Sequence, residues 1–205
     1  MEAVFCVFYM ICMSIMGVKI VSTSKGNKER LWFGIMAIVL VAGDAFHLVP
    51  RVLVVLNPSG DYHVSLGLGK MITSTTMTVF YMIMYYVYSM RYHYTNKKLE
   101  YTMLALSAVR IALCLLPQND WTGEDPVMWG IIRNIPFVIM GIIMVVLYYK
   151  KKDDKKFKWM YLAITLSFLF YLPVVLWSEV SPMIGMLMLP KTCMYIWAIA
   201  MSYKE

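Results

Sequence analysis

An all-α integral membrane bundle of seven transmembrane helices, one domain spanning 1–205 with its N-terminus outside and its C-terminus cytoplasmic, is what this sequence predicts. Three observations carry that expectation. Hydrophobic residues make up 60% of the chain and charged residues only 15%, against about 25% charged in an ordinary soluble domain; the mean hydropathy is +0.64. The apolar residues are gathered into seven segments, each near the ~20 residues that cross a bilayer as a helix. Lys and Arg crowd every second loop and are missing from the loops between.

In chain order the segments are Val4–Val21, Trp32–Leu56, Val64–Met90, Tyr101–Pro117, Val127–Tyr149, Trp159–Trp177 and Pro182–Tyr203. The first has no basic residue before it and Lys19 at its end, with no small-residue cleavage site, so it reads as a retained spanning helix and not a signal peptide. The second carries Pro50, the fifth Pro136, the sixth Pro173 and the seventh Pro190. Prolines inside spanning helices mark kinks where neighbouring side chains or water satisfy the freed backbone groups. Gly67 and Gly69 open the third segment and permit close helix packing.

Orientation follows from the loops. Those after segments one, three and five carry Lys25, Lys28 and Arg30, then Arg91, Lys97 and Lys98, then six lysines between Lys150 and Lys158; Lys19 and Lys204 fall on the same side. The alternate loops hold Asp61, Asp120, Glu124, Asp125 and Glu179 and no Lys or Arg. The positive-inside rule then places the N-terminus outside, in a multi-pass protein of the cell membrane. The net charge of +7 is a cytoplasmic belt facing anionic lipid headgroups, and it calls for no nucleic acid.

Five cations escape the belt and fall inside apolar segments: Arg51, Lys70, Arg110, Arg133 and Lys191. Helical rise places all five in the outer half of the membrane or at its midplane, with Lys191 near the middle of helix seven. Charges at such depth are expensive and mark sites. Asp44 is the one acid at comparable depth, ~18 Å from Trp32 at 1.5 Å per residue, with Glu179 available at the rim. Asp44, His47 and Arg51 are spaced i, i+3, i+7 and share one helical face. Thr76 and Asn134 add hydrogen-bonding groups in helices three and five.

In one reading these groups form an internal network, Asp44 pairing with Lys191, Lys70 or Arg51 and the hydroxyls joining helix to helix. In the other, which the excess of cations favours, they surround an outward-facing pocket for an anionic amphiphile or a small anion. Arg51, Lys70, Thr76, Arg110, Arg133, Asn134 and Lys191 would bind the ligand. Asp44 and His47 at i, i+3 can hydrogen-bond and form an acid/base pair. The expected partners are membrane lipids and such an anion, a lysolipid included.

Neither metal nor cofactor is expected. His47, His63 and His93 cannot converge, since a whole spanning helix separates the last two. Cys6, Cys12, Cys114 and Cys193 all lie in apolar segments without a CxxC spacing and read as packing residues.

The stretch Gly43-Asp44-Ala45-Phe46-His47-Leu48-Val49-Pro50-Arg51 resembles the Gly-Asp helix of the lysoplasmalogenase-like family. These are small polytopic membrane proteins that hydrolyse the vinyl ether bond of lysoplasmalogens. The resemblance spans nine residues. It implies that Asp44 is the acidic catalytic residue, on a helix running from inside to outside. The enzyme form of the pocket is then a lysolipid hydrolase; the alternative is a small transporter or seven-helix receptor that uses the same cations without chemistry.

Overall fold

The computed structural model describes residues 2–123, 125–177 and 180–203, with the side chains of Glu2 and Pro182 also left out. Glu124, Glu179 and Lys204, which entered the reading of the loops, lie outside the described residues. Seven α-helices are present there: α1 (Glu2–Ser22), α2 (Lys28–Leu56), α3 (His63–Tyr92), α4 (Lys97–Leu115), α5 (Val127–Tyr149), α6 (Met160–Trp177) and α7 (Met188–Tyr203). Short 3-10 turns, Pro117–Asn119 and Pro182–Leu187, precede α5 and α7.

The helices begin where capping chemistry allows. Asn27 accepts the backbone N–H of Arg30 and so starts α2 earlier than its apolar run. Asn96 does the same for α4 through Leu99. Each cap satisfies one of the donors that a helix N-terminus leaves free.

Helix seven differs from expectation. The segment read as continuous from Pro182 is divided, and Lys191 closes the first turn of α7 instead of sitting mid-helix. Pro190 explains this: its ring has no N–H to give, which is harmless only in a first turn.

Five helical spans are long and apolar enough to cross a membrane, within α1, α2, α5 and α6 and over Met183–Tyr203. α3 and α4 are long but more polar. α3 carries Lys70, a run of hydroxyls from Thr73 to Thr76, and Arg91; α4 opens on Lys97, Lys98 and Glu100 and contains Arg110. Large apolar side chains are exposed along whole helix faces, for example Phe8, Ile11, Ile15 and Val18 on α1, or Ile131, Ile135, Ile139 and Ile142 on α5. Apolar stripes of this extent are foreign to water-soluble surfaces. This is the exterior of a helical membrane protein.

Consecutive helices are neighbours, and α7 returns to α1, so the seven close into a ring. α3 also touches α5, and α2 touches α7. The short connections make each consecutive pair antiparallel, so one end of the bundle gathers the basic loops and the other the acidic ones.

The tightest crossing is α2 on α3. Thr73 donates to the Gly43 carbonyl at 3.0 Å. A side chain on Gly43 would strike the Thr76 hydroxyl, and one on Gly69 would strike the carbonyl oxygen of Phe46. That carbonyl has lost its helical donor, because Pro50 stands four residues on. Small residues here let the two backbones touch, as at other membrane helix interfaces.

At the basic end Arg91 joins three parts of the chain. Its guanidinium grips Asp154 of the α5–α6 loop through Nε at 2.6 Å and Nη2 at 3.1 Å, and Glu29 of α2 through Nη1 at 2.8 Å. The Tyr92 hydroxyl donates to Asp154 at 2.6 Å. The lysine-rich run is therefore anchored and does not hang free. Burial alone would raise the Asp154 carboxyl, but the hydrogen bonds from Arg91 and Tyr92 outweigh it and hold the group well below the usual carboxylate range. A group with a depressed folded-state value stabilises fully above its unfolded value, near pH 4, and loses that contribution as pH falls toward the folded one. Arg91→Ala is accordingly expected to lower the melting temperature at neutral pH. The gap from the parent should narrow on acidification below about pH 4; a gap independent of pH would exclude this clamp.

Candidate functional site

At the acidic end the bundle is hollow. A cavity of about 340 Å³ opens between α2, α3, α4, α5, α6 and α7. Arg51, Lys70, Arg110, Arg133 and Lys191, five cations from five different helices, all line it. The only acid on its wall, among the described residues, is Asp125. The cavity reaches Met77, fourteen residues into α3 and so about 21 Å along the helix. A shallower chamber of about 280 Å³, bounded by His47, Arg51, His63, Lys70 and Trp121, shares four of these residues with it and forms a vestibule.

The loop between α4 and α5 builds the rim. Pro117 ends α4, since the residue before a proline disfavours helical backbone. Asn119, fully buried, then donates to the Leu113 and Leu116 carbonyls at 2.6 and 2.8 Å, satisfying the end of the helix. Trp121 donates to the Cys114 carbonyl at 2.8 Å. Gly67 of α3 lies directly against the Trp121 backbone, where a side chain would collide. This folding brings Asp125 between two cations, 3.1 Å from Lys70 and 2.9 Å from Arg133. Arg133 also donates to the Asn119 side chain at 2.9 Å and stacks 3.9 Å over the Trp121 ring. The rim cations are thus held in place, and Lys70, with 47% of its side chain exposed, marks the mouth.

Deeper in, the cations are unmatched. Arg110 is 1% exposed. Its guanidinium lies 3.4 Å over the Phe137 ring and donates to the Asn134 side chain at 3.5 Å. Its Nε and Nη1 have no hydrogen-bond partner among the described residues. The same Asn134 oxygen accepts the Tyr171 hydroxyl at 2.8 Å. Lys191, 9% exposed, has its ammonium 4.4 Å from the Tyr171 ring centre and 5.6 Å from that of Tyr195, and makes no ion pair among the described residues. Aromatic faces attract cations by about 0.5–2 kcal/mol, well short of the several kcal/mol that burying an ion costs. Asp125 is taken up by Lys70 and Arg133 at the rim, and Asp44 attracts Lys191 without reaching it, so five cations on the cavity against one acid leave it a surplus of positive charge around Arg110.

The other residues singled out from the sequence divide between the cavity wall and its surroundings. Asp44 makes no close ion pair with Lys191, Lys70 or Arg51 among the described residues, although it attracts Lys191 electrostatically; it accepts the Tyr9 hydroxyl of α1 at 2.6 Å and is absent from the cavity wall. His47 does line the cavity, so the i, i+3 pair is divided between two faces and no hydrogen bond joins it. Thr76 turns its hydroxyl to the Ile72 and Thr73 carbonyls of its own helix and packs on Gly43, away from the cavity. Asn134 is on the wall. Asp125, Trp121 and Tyr171 were not singled out. The first two sit in a loop whose path the sequence does not reveal, and Tyr171 is one of fifteen tyrosines.

No protein-family model matches this chain, and neither a curated protein nor a solved structure does so.

Proposed function

We propose that this is a seven-span protein of the cell membrane, N-terminus outside, whose cavity binds an anion presented from the extracytoplasmic side. The observation that carries the reading is Arg110: a deeply buried cation, with Lys191 on the same cavity, where five cations face one acid and, among the described residues, neither of these two has a carboxylate within ion-pair distance. Intramembrane charge of that kind is retained for use. The orientation rests on the basic loops at the opposite end of the bundle. Binding without chemistry, as in a transporter or receptor, is favoured over lysolipid hydrolysis. The acid that hydrolysis would need, Asp44, is engaged by Tyr9 outside the cavity.

Inorganic phosphate is the simplest probe. Calorimetric titration of the purified protein in a neutral detergent is expected to show saturable binding, weakened about ten- to hundredfold in Arg110→Gln, the value of a charge-assisted hydrogen bond. In intact cells His63→Cys, in the vestibule, should react with a membrane-impermeant maleimide. Absence of binding heat would overturn the pocket, and labelling only after permeabilisation would overturn the orientation.

A further inference from the structure

A second hollow meets the cationic cavity from the side. Between α5 and α6 lies a groove of about 220 Å³, walled by Ile131, Ile135, Val138 and Ile139 on one helix and by Leu172, Val175 and Leu176 on the other. Apart from Asn134 every residue on it is apolar. It opens outward, since Ile131, Ile135, Ile139 and Leu176 are exposed on the face that a membrane protein turns to lipid. Asn134 and Val175 line both the groove and the cationic cavity, so the two adjoin. The groove runs eight residues along α5, about 12 Å.

Both walls carry an interior proline, Pro136 in α5 and Pro173 in α6. Each proline removes one backbone hydrogen bond from its helix, which loosens the two helices where they flank the groove. Toward the basic end they are locked instead: Gly141 lies against the Phe168 ring with no room for a side chain. The α5–α6 seam is therefore tight at one end and grooved at the other, next to the unmatched cations.

We infer that the ligand is a single-chain anionic amphiphile, a phosphate monoester of a fatty chain. Its headgroup enters the Arg110–Lys191 cavity from the side, and its chain lies in the α5–α6 groove. The inference rests on the anion-binding reading of the cavity and adds the tail. The headgroup exchanges bilayer-surface water for Arg110 and Lys191, whose charges it balances. The chain gains little by transfer, because it passes from one hydrocarbon environment to another. What the groove supplies is a path: the headgroup moves inward while the chain never crosses a polar wall. Selection of an amphiphile over a free anion then comes from its concentration in the bilayer and from the fit of one chain.

The test compares dodecyl phosphate with inorganic phosphate on the full chain in nanodiscs of a zwitterionic lipid. Parent protein is expected to bind dodecyl phosphate at least about tenfold more tightly than inorganic phosphate. Ile135→Trp and Leu172→Trp, which fill the groove from its two walls and line no part of the cationic cavity, should weaken dodecyl phosphate about tenfold, the usual scale of steric overpacking, and leave inorganic phosphate unchanged. Equal affinity for the two probes, or indifference of dodecyl phosphate to both groove variants, overturns the tail assignment while leaving an anion pocket. Loss of neither probe in Arg110→Gln overturns the pocket and the tail together. Arg110→Gln weakening both probes, with the groove variants affecting only one, is the result that supports the assignment.

Discussion

Arg110→Met is expected to fold as stably as the parent, or more so, when no anion is present, and to lose the stabilisation that an anion confers. The guanidinium is buried at 1% exposure with, among the described residues, two nitrogens unpartnered and no carboxylate in contact. Its attraction to Phe137 and its 3.5 Å bond to Asn134 return only part of a desolvation cost of several kcal/mol. Methionine comes near it in volume, packs flexibly against the Phe137 ring and carries no charge to desolvate. Replacing buried ionic groups by apolar ones of similar volume is often neutral or stabilising by about 1–4 kcal/mol. The parent, by contrast, should gain about 2.7 kcal/mol at a hundred times the dissociation constant of phosphate. Thermal unfolding with and without phosphate gives both quantities. A variant markedly less stable than the parent without anion would make Arg110 a structural residue and remove the reason for a ligand.

The second large effect concerns the crossing of α2 and α3. Gly69→Ala should cost about 3 kcal/mol or more, the upper range for an overpacked site, because the obstacle is the Phe46 carbonyl and backbone cannot swing aside. Gly43→Ala should cost a comparable amount, since rotation of Thr76 moves its hydroxyl, at the expense of its bonds to Ile72 and Thr73, but not its Cβ, which also blocks the site. Gly185→Ala meets nothing within 4 Å and should be near neutral. The gap between the first two melting temperatures and that of Gly185→Ala is the check. Gly69→Ala matching Gly185→Ala would contradict the close crossing. Separation of α2 from α3 would also draw His47 and Arg51 away from Lys70, so phosphate binding should fall with stability in this series.

The helices were legible because apolar length and basic loops are statements about single segments. Arg51, Lys70, Arg110, Arg133 and Lys191 stood out for the same reason: each is anomalous within its own apolar run, whatever its neighbours do. Their placement on one cavity follows from the ring order of the helices, which the sequence does not spell out.

Asp44 shows where periodicity runs out. The i, i+3, i+7 spacing does put it on one broad face with His47 and Arg51, but that face spans two neighbours, and the short carboxylate reaches Tyr9 of α1 instead of the cavity. The partner is thirty-five positions away, beyond any local pattern. Asp125 was hidden for a related reason. Loop acids look solvated in a sequence, and only the turn built by Pro117, Asn119 and Trp121 brings this one back between Lys70 and Arg133. Lys191 falls in the first turn of α7, though near the middle of the apolar span Met183–Tyr203, because Pro190 stands at a helix start and not at a kink.

The most direct measurement is the anomalous scattering of crystals grown or soaked in selenate. A peak within hydrogen-bonding distance of both Arg110 and Lys191 is the predicted result. Peaks confined to the lysines between α5 and α6, with no anomalous signal in the chamber above Phe137, would contradict an anion site in this bundle.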